Sequence, residues 1–164
     1  MSLVNWGKCK IYAKDLEAEQ PKWLELPTPV EDSTEITTSK GDKKEAKIEG
    51  GENEDVKYSR NTYALNFDIR MLKGRKQPIA SADGIVQHKY AFMIEPEDPT
   101  AIGCSIEKAT VSCEETFKTA EGSIWKYVAD VLKPESGNQV KWGVVKHTAG
   151  DNGAGHTLQF TENV

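Results

Sequence analysis

The residues best suited to chemistry in this chain are His88, His147 and His156, with Cys9, Cys104 and Cys113. Imidazole serves as a base or metal ligand near neutral pH, and a thiolate as a nucleophile. Either use needs partners at short range. No histidine lies within four residues of another histidine or of a cysteine, so neither a helix-spaced nor a CxxC-type metal pair is present. His147 and His156 converge only across the loop Thr148 to Gly155, where a pair of surface histidines flanking a hairpin is the simpler reading. Within that loop Asp151-Asn152-Gly153 lacks the repeated acidic positions and closing Glu of a calcium loop. Gly150, Gly153 and Gly155 have neither the order nor the spacing of a dinucleotide fingerprint, and read as a flexible turn.

A reactive thiol needs an electropositive, partly open setting. Cys9 sits between Lys8 and Lys10, but on a strand those lysines point to the opposite face. Cys113 takes an inward position beside Glu114 and Glu115, so both cysteines read as small core residues. The cluster Lys73-Gly74-Arg75-Lys76 directly follows a strong strand and reads as turn chemistry before phosphate binding. No pair of carboxylates is singled out by spacing. The expectation is a protein that is not an enzyme and uses no metal or cofactor.

At 164 residues, with 37% hydrophobic and 29% charged side chains, the chain suits one domain with a core and a well-solvated surface. A net charge of −5 argues against a protein built to grip phosphates. No apolar run approaches the roughly 20 residues of a membrane span. Met1 to Trp6 lacks the basic start and apolar centre of a signal peptide, so a soluble intracellular protein with reduced cysteines and no membrane partner is expected.

The elements that must position these side chains have period two. Tyr63, Leu65, Phe67, Ile69 and Met71 alternate with Ala64, Asn66, Asp68 and Arg70, the pattern of a half-buried strand. Cys9, Ile11 and Ala13 alternate with Lys8, Lys10 and Tyr12, and Tyr90, Phe92 and Ile94 with Lys89, Ala91 and Met93. Further short strands are read at Trp23 to Leu26, Ala109 to Cys113, Val140 to Val144 and Leu158 to Phe160. Short strands divided by turn residues predict an antiparallel β-sandwich or barrel. Ile124, Tyr127, Val128, Val131 and Leu132 sit at helical spacing, yet Trp125, Tyr127, Ala129 and Val131 also alternate as a strand would. The strand reading is preferred. Asp15 to Gln20 and the stretch around Gln77 to Asp83 are then the other places for a helix.

Residues 31–57 differ in kind, with nine acidic residues against five lysines and only Ile36, Ala46, Ile48 and Val56 to bury. That composition predicts a projecting hairpin or loop, unfixed until something packs on it. A solvated loop without a partner is the competing reading.

Read together, these stretches resemble the major tail (tail tube) proteins of tailed bacteriophages, in particular those of phages and prophages of Bacteroides-type bacteria. The likeness rests on Trp6-Gly7-Lys8-Cys9-Lys10-Ile11-Tyr12 and on Asp32-Ser33-Thr34-Glu35-Ile36-Thr37-Thr38 with Glu49-Gly50-Gly51-Glu52. It continues through Asn61 to Ile69, Asp83-Gly84-Ile85-Val86, Tyr90 to Asp98, Glu121 to Tyr127, Leu132-Lys133-Pro134 and Val140 to Gly143. It spans about residues 4–146; the stretch from Thr148 onward lies outside it.

The resemblance implies a mainly β domain over residues 1–147, a sandwich or barrel with a short flanking helix; residues 148–164 are read from their glycines as a Gly-rich C-terminal extension to it. It implies a subunit that pairs with copies of itself in stacked, hexameric rings. Those rings, with other tail proteins, form a tube related to those of type VI and contractile injection machines. The tube conducts DNA without specific binding, and a mildly acidic chain suits a lumen that repels phosphates. The implied location is the host cytoplasm during assembly and then the virion tail. On this reading residues 31–57 form the arm between rings, with Glu35, Ile36, Asp42, Glu45, Ile48, Gly50, Gly51 and Glu52 as its contact residues and Gly50-Gly51 giving freedom near its base. A non-catalytic binding module, immunoglobulin-like or carbohydrate-binding through Trp6, Trp23, Trp125 or Trp142, is the alternative.

Overall fold

The structure is a computed structural model that describes residues 3–4, 7–149 and 156–162. The fold is mainly β with antiparallel sheets. Eleven strands occur among the described residues: β1 (Lys10–Asp15), β2 (Trp23–Glu25), β3 (Glu35–Ser39), β4 (Lys43–Lys47), β5 (Asn53–Tyr58), β6 (Thr62–Arg70), β7 (Ile85–Glu95), β8 (Gly103–Lys118), β9 (Gly122–Val131), β10 (Val140–Ala149) and β11 (His156–Glu162). Nine of them form one sheet in the order β10-β11-β2-β1-β7-β8-β9-β6-β3, and β4 and β5 form a separate two-stranded ribbon.

The large sheet cannot be flat. Phe67 on β6 and Phe92 on β7 lie three strand positions apart, about 14 Å at the usual spacing, yet their ring centroids are 6.0 Å apart. The sheet therefore bends over, and the β6–β9 layer packs on the β1–β7 layer as in a sandwich. Phe67 also stacks on Tyr127 of β9 at 5.2 Å. Leu65, Phe67 and Ile69, then Trp125, Tyr127 and Ala129, then Ile11, Ala13 and Ile106 fill the space between the layers.

A second, smaller core lies on the other side of the same strands. Tyr12, Met93 and Val145 are buried there, with Trp23, Leu158 and Phe160 against them. It exists because β8 is long enough to change partners. Its C-terminal part pairs with β9 through Ala109↔Val131 to Lys118↔Gly122, while its first four residues pair with β10 through Gly103↔Gly143 and Ile106↔Val140. β10 then carries β11 round towards β2, but among the described residues β11 pairs with β2 only at His156↔Trp23, and no barrel is closed. Ile11, Tyr12 and Ala13 are consequently all buried, as are Ala91, Phe92 and Met93. The period-two reading placed Tyr12, Ala91 and Met93 on the wet face; the second core covers that face.

The short flanking helix is not seen among the described residues. The segment with helical spacing is β9, held on both sides by β6 and β8, so its alternation of Trp125, Tyr127 and Ala129 decides its state. Asp15 ends β1 and residues 16–20 are turns and bends. The Gln77 to Asp83 segment is irregular and adds Ile79 to the main core. Ile79 is buried, its carbonyl accepts from the Tyr127 hydroxyl at 3.0 Å, and its N–H donates back at 3.4 Å.

Candidate functional site

The chemistry-bearing side chains are scattered. Cys104 and Cys113 are buried and Cys9 half-buried, all as free thiols. Burial pushes each thiol up, Cys104 to about 12, which keeps the sulfur protonated and poorly nucleophilic. His88 meets Asp15 at 2.8 Å on the surface, where the carboxylate raises the imidazole. The side chains of His147 and His156 and the loop 150–155 lie outside the described residues, as does Trp6. Among the described residues no three His, Cys, Asp or Glu side chains are grouped to hold a metal. The basic cluster forms the expected turn, with Arg75 N–H donating to the Leu72 carbonyl at 3.0 Å.

What the structure does assemble is a surface. The segment 31–57 divides into two parts. Glu35 and Ile36 belong to β3, the end strand of the large sheet, paired with Asn66 and Leu65 of β6. Thr37 is tied across the same pair by Asn66, whose Nδ2 donates to its hydroxyl at 2.8 Å. Asp42, Glu45, Ile48, Gly50, Gly51 and Glu52 belong to the β4–β5 hairpin.

The base of that hairpin is a close backbone approach. Gly41 N–H donates to Asn61 Oδ1 at 3.0 Å and Ser59 N–H to the Asp42 carbonyl at 2.8 Å. A Cβ on Gly41 would come within 1.9 Å of the Ser59 carbonyl oxygen, so only glycine fits there. Gly50 and Gly51, expected near the base, are at the tip. Their φ angles of 93° and 85° turn the chain between Ile48 and Glu52, which bond through Ile48 N–H to the Glu52 carbonyl at 2.9 Å. The reason is conformational: two successive left-handed residues make a reversal, which belongs between strands.

Every residue of β4 and β5 is exposed. The register Lys43↔Tyr58 and Glu45↔Val56 puts those four side chains on one face. Glu45 reaches Lys43 at 2.6 Å and Lys47 at 3.4 Å, and Lys40 Nζ lies 4.9 Å from the Tyr58 ring centroid. The face is thus an apolar pair, Val56 and Tyr58, among Lys40, Lys43 and Lys47, with Glu45 between the lysines and Glu54 two positions before Val56. The Lys43 ammonium holds the Glu45 carboxyl below its ordinary value, and Glu45 in turn raises Lys43.

Beside β3 lies a groove of about 780 Å³ between the sandwich layers, bounded by Cys9, Pro29, Ile36, Ile94, Ile102 and Trp142. Glu31, Asp32 and Glu35 edge it on one side, with Lys8 the cation among its lining residues. Trp142 is 46% exposed there, while Trp125 is buried in the sandwich and Trp23 is half-buried under Lys14. Sequence reasoning missed Gly41, Asn61, Tyr58 and the groove. The Lys40-Gly41-Asp42 turn was a usable signal for the hairpin base; the groove, built from segments distant in sequence, gave none.

The fold and this surface define a mainly β protein with antiparallel sheets, carrying a fully exposed ribbon and an acidic-edged apolar groove. No protein-family model matches the chain, and no curated protein does.

Proposed function

We propose that this protein is a structural subunit that assembles with copies of itself into stacked, hexameric rings, forming a tail tube through which DNA passes without specific binding. The supporting observation is the β4–β5 hairpin, an antiparallel ribbon in which no residue is buried. A two-stranded ribbon is marginal in water by itself, and a ribbon that projects without covering its own domain suits packing on another molecule. The open edge of β3 and a net charge of −5 agree with a self-associating, phosphate-repelling subunit. In the tube the hairpin is the arm between rings, and other tail proteins cap the assembly.

The test is replacement of residues 43–58 by a short Gly-Ser turn that retains the Asp42–Ser59 bond. The variant folds with an unchanged melting temperature but forms no annuli or rods by negative-stain microscopy at concentrations where the full chain does. Normal assembly of the shortened protein would refute the arm. A non-catalytic binding module is a second reading, favoured by the exposed indole of Trp142 in a groove. It expects a positive glycan array, where the tube subunit expects a blank one.

A further inference from the structure

We infer that the Val56–Tyr58 face of the hairpin docks in the Trp142 groove of a second copy, an inference that rests on the self-assembly reading and names the surface the arm meets. Three observations carry it. The hairpin face presents two exposed apolar side chains, Val56 at 37% and Tyr58 at 51%, with Lys40, Lys43 and Lys47 around them against Glu45 and Glu54. The groove presents exposed Trp142 and Ile102, edged by Glu31, Asp32 and Glu35 against one lysine, Lys8. One surface is apolar with a positive rim, the other apolar with a negative rim, and such a match both steers encounter and fixes register.

The third observation is that the hairpin does not occupy the groove of its own copy. None of its lining residues falls between positions 37 and 93, so the hairpin of the same chain does not line it. Hairpin and groove are different patches of one molecule. A contact between them is head-to-tail, and it must close into a ring or propagate as a stack. The apolar pairs supply the attraction on burial, and the lysine and carboxylate rims draw these two patches together while two copies of either patch repel each other.

A charge-swap experiment tests this on the full chain. Lys43→Glu with Lys47→Glu, and separately Glu31→Lys with Glu35→Lys, each raise the concentration at which assemblies form by about tenfold at low salt. Combining all four in one chain restores assembly to near the starting concentration, because the rims are again opposite in sign. Circular dichroism and the melting transition check that each variant keeps its β fold. Carbodiimide coupling of a mixture of isotope-labelled and unlabelled unmodified protein supplies a reading free of substitutions. Amide links between Lys43 or Lys47 of one copy and Glu31 or Glu35 of another are expected.

If the swapped chains assemble like the original, or the fourfold chain is no better than either double variant, the docking pair is wrong while self-assembly stands. Assemblies whose inter-copy links all fall elsewhere, for example along the β3 edge, have the same meaning. An original chain that stays monomeric by sedimentation at millimolar concentration overturns both the docking pair and the tube.

Discussion

The strand β1 and the hairpin β4–β5 are built from the same backbone geometry and have opposite fates. In β1, Ile11, Tyr12 and Ala13 are buried whichever way they point, because a core lies on each side of the strand. In β4 and β5 no side chain is buried whichever way it points. Pairing differs as well: β1 is bonded on both sides, by β2 and β7, whereas β4 and β5 bond only each other and shift register at Ala46/Lys47. The larger difference is the area each strand removes from water, at roughly 25 cal/mol per Å² of apolar surface. It follows that the domain's stability is held by the doubly covered strands, while the hairpin's contribution awaits a partner.

The comparison breaks most visibly at Phe67, which is fully buried between Tyr127 and Phe92. Phe67→Ala is expected to cost about 3–5 kcal/mol, read from the midpoint of urea unfolding, since the rigid neighbours cannot close the cavity. A loss below about 1 kcal/mol would mean the two layers are not packed through this residue.

A smaller effect is expected at Tyr127, whose hydroxyl both donates to and accepts from the Ile79 backbone. Tyr127→Phe leaves those backbone groups without it and is expected to lose about 1–2 kcal/mol. The same residue sets a pH signature. Burial pushes its phenol from 10.0 up to about 12 in the folded state, and Tyr12 is raised as well, by burial and by Glu95 and Glu25. The folded chain thus holds protons that the unfolded chain releases, so stability is complete below pH 10 and falls as pH rises towards 12. Alkaline titration of unfolding should show that decline, and Tyr127→Phe should make it shallower.

The smallest effect on the whole molecule sharpens the comparison from the other side. Changing Gly50 and Gly51 together to Ala forces two left-handed residues at the hairpin tip, where nothing else packs. Global stability is expected to change by less than about 0.5 kcal/mol. Amide protection of Ile48 and Gly51, which hold the turn, is expected to fall sharply in hydrogen exchange. A large drop in the global melting temperature would show that the hairpin is coupled to the core after all.

Much of the fold could be read along the chain. Tyr63 to Met71 alternates because β6 has one covered face, and it lies where that pattern puts it. The hairpin was legible as a charge-rich segment with almost nothing to bury, though not its division from β3: Ile36 looks no different in composition from Ile48, and only pairing with Leu65 draws it into the sheet. The segment 123–132 carried two periods at once, and two flanking strands chose between them. Asp15 to Gln20 and Gln77 to Asp83 looked able to be helical because short polar stretches carry little local preference. Tyr127 reaching Ile79 settles the second of these, a contact spanning 48 positions.

The alternation along β6 and the scarcity of buriable side chains across residues 31–57 follow from side chains within a few residues of one another, so both are written in the chain itself. Only the tertiary structure decided that β8 changes partner from β10 to β9, that a second core covers Tyr12 and Met93, and that Glu35, Ile102 and Trp142 share a groove. Those features depend on strands meeting across a hundred positions, where the winning arrangement is the one that buries most apolar surface in the whole chain. No local pattern encodes that sum.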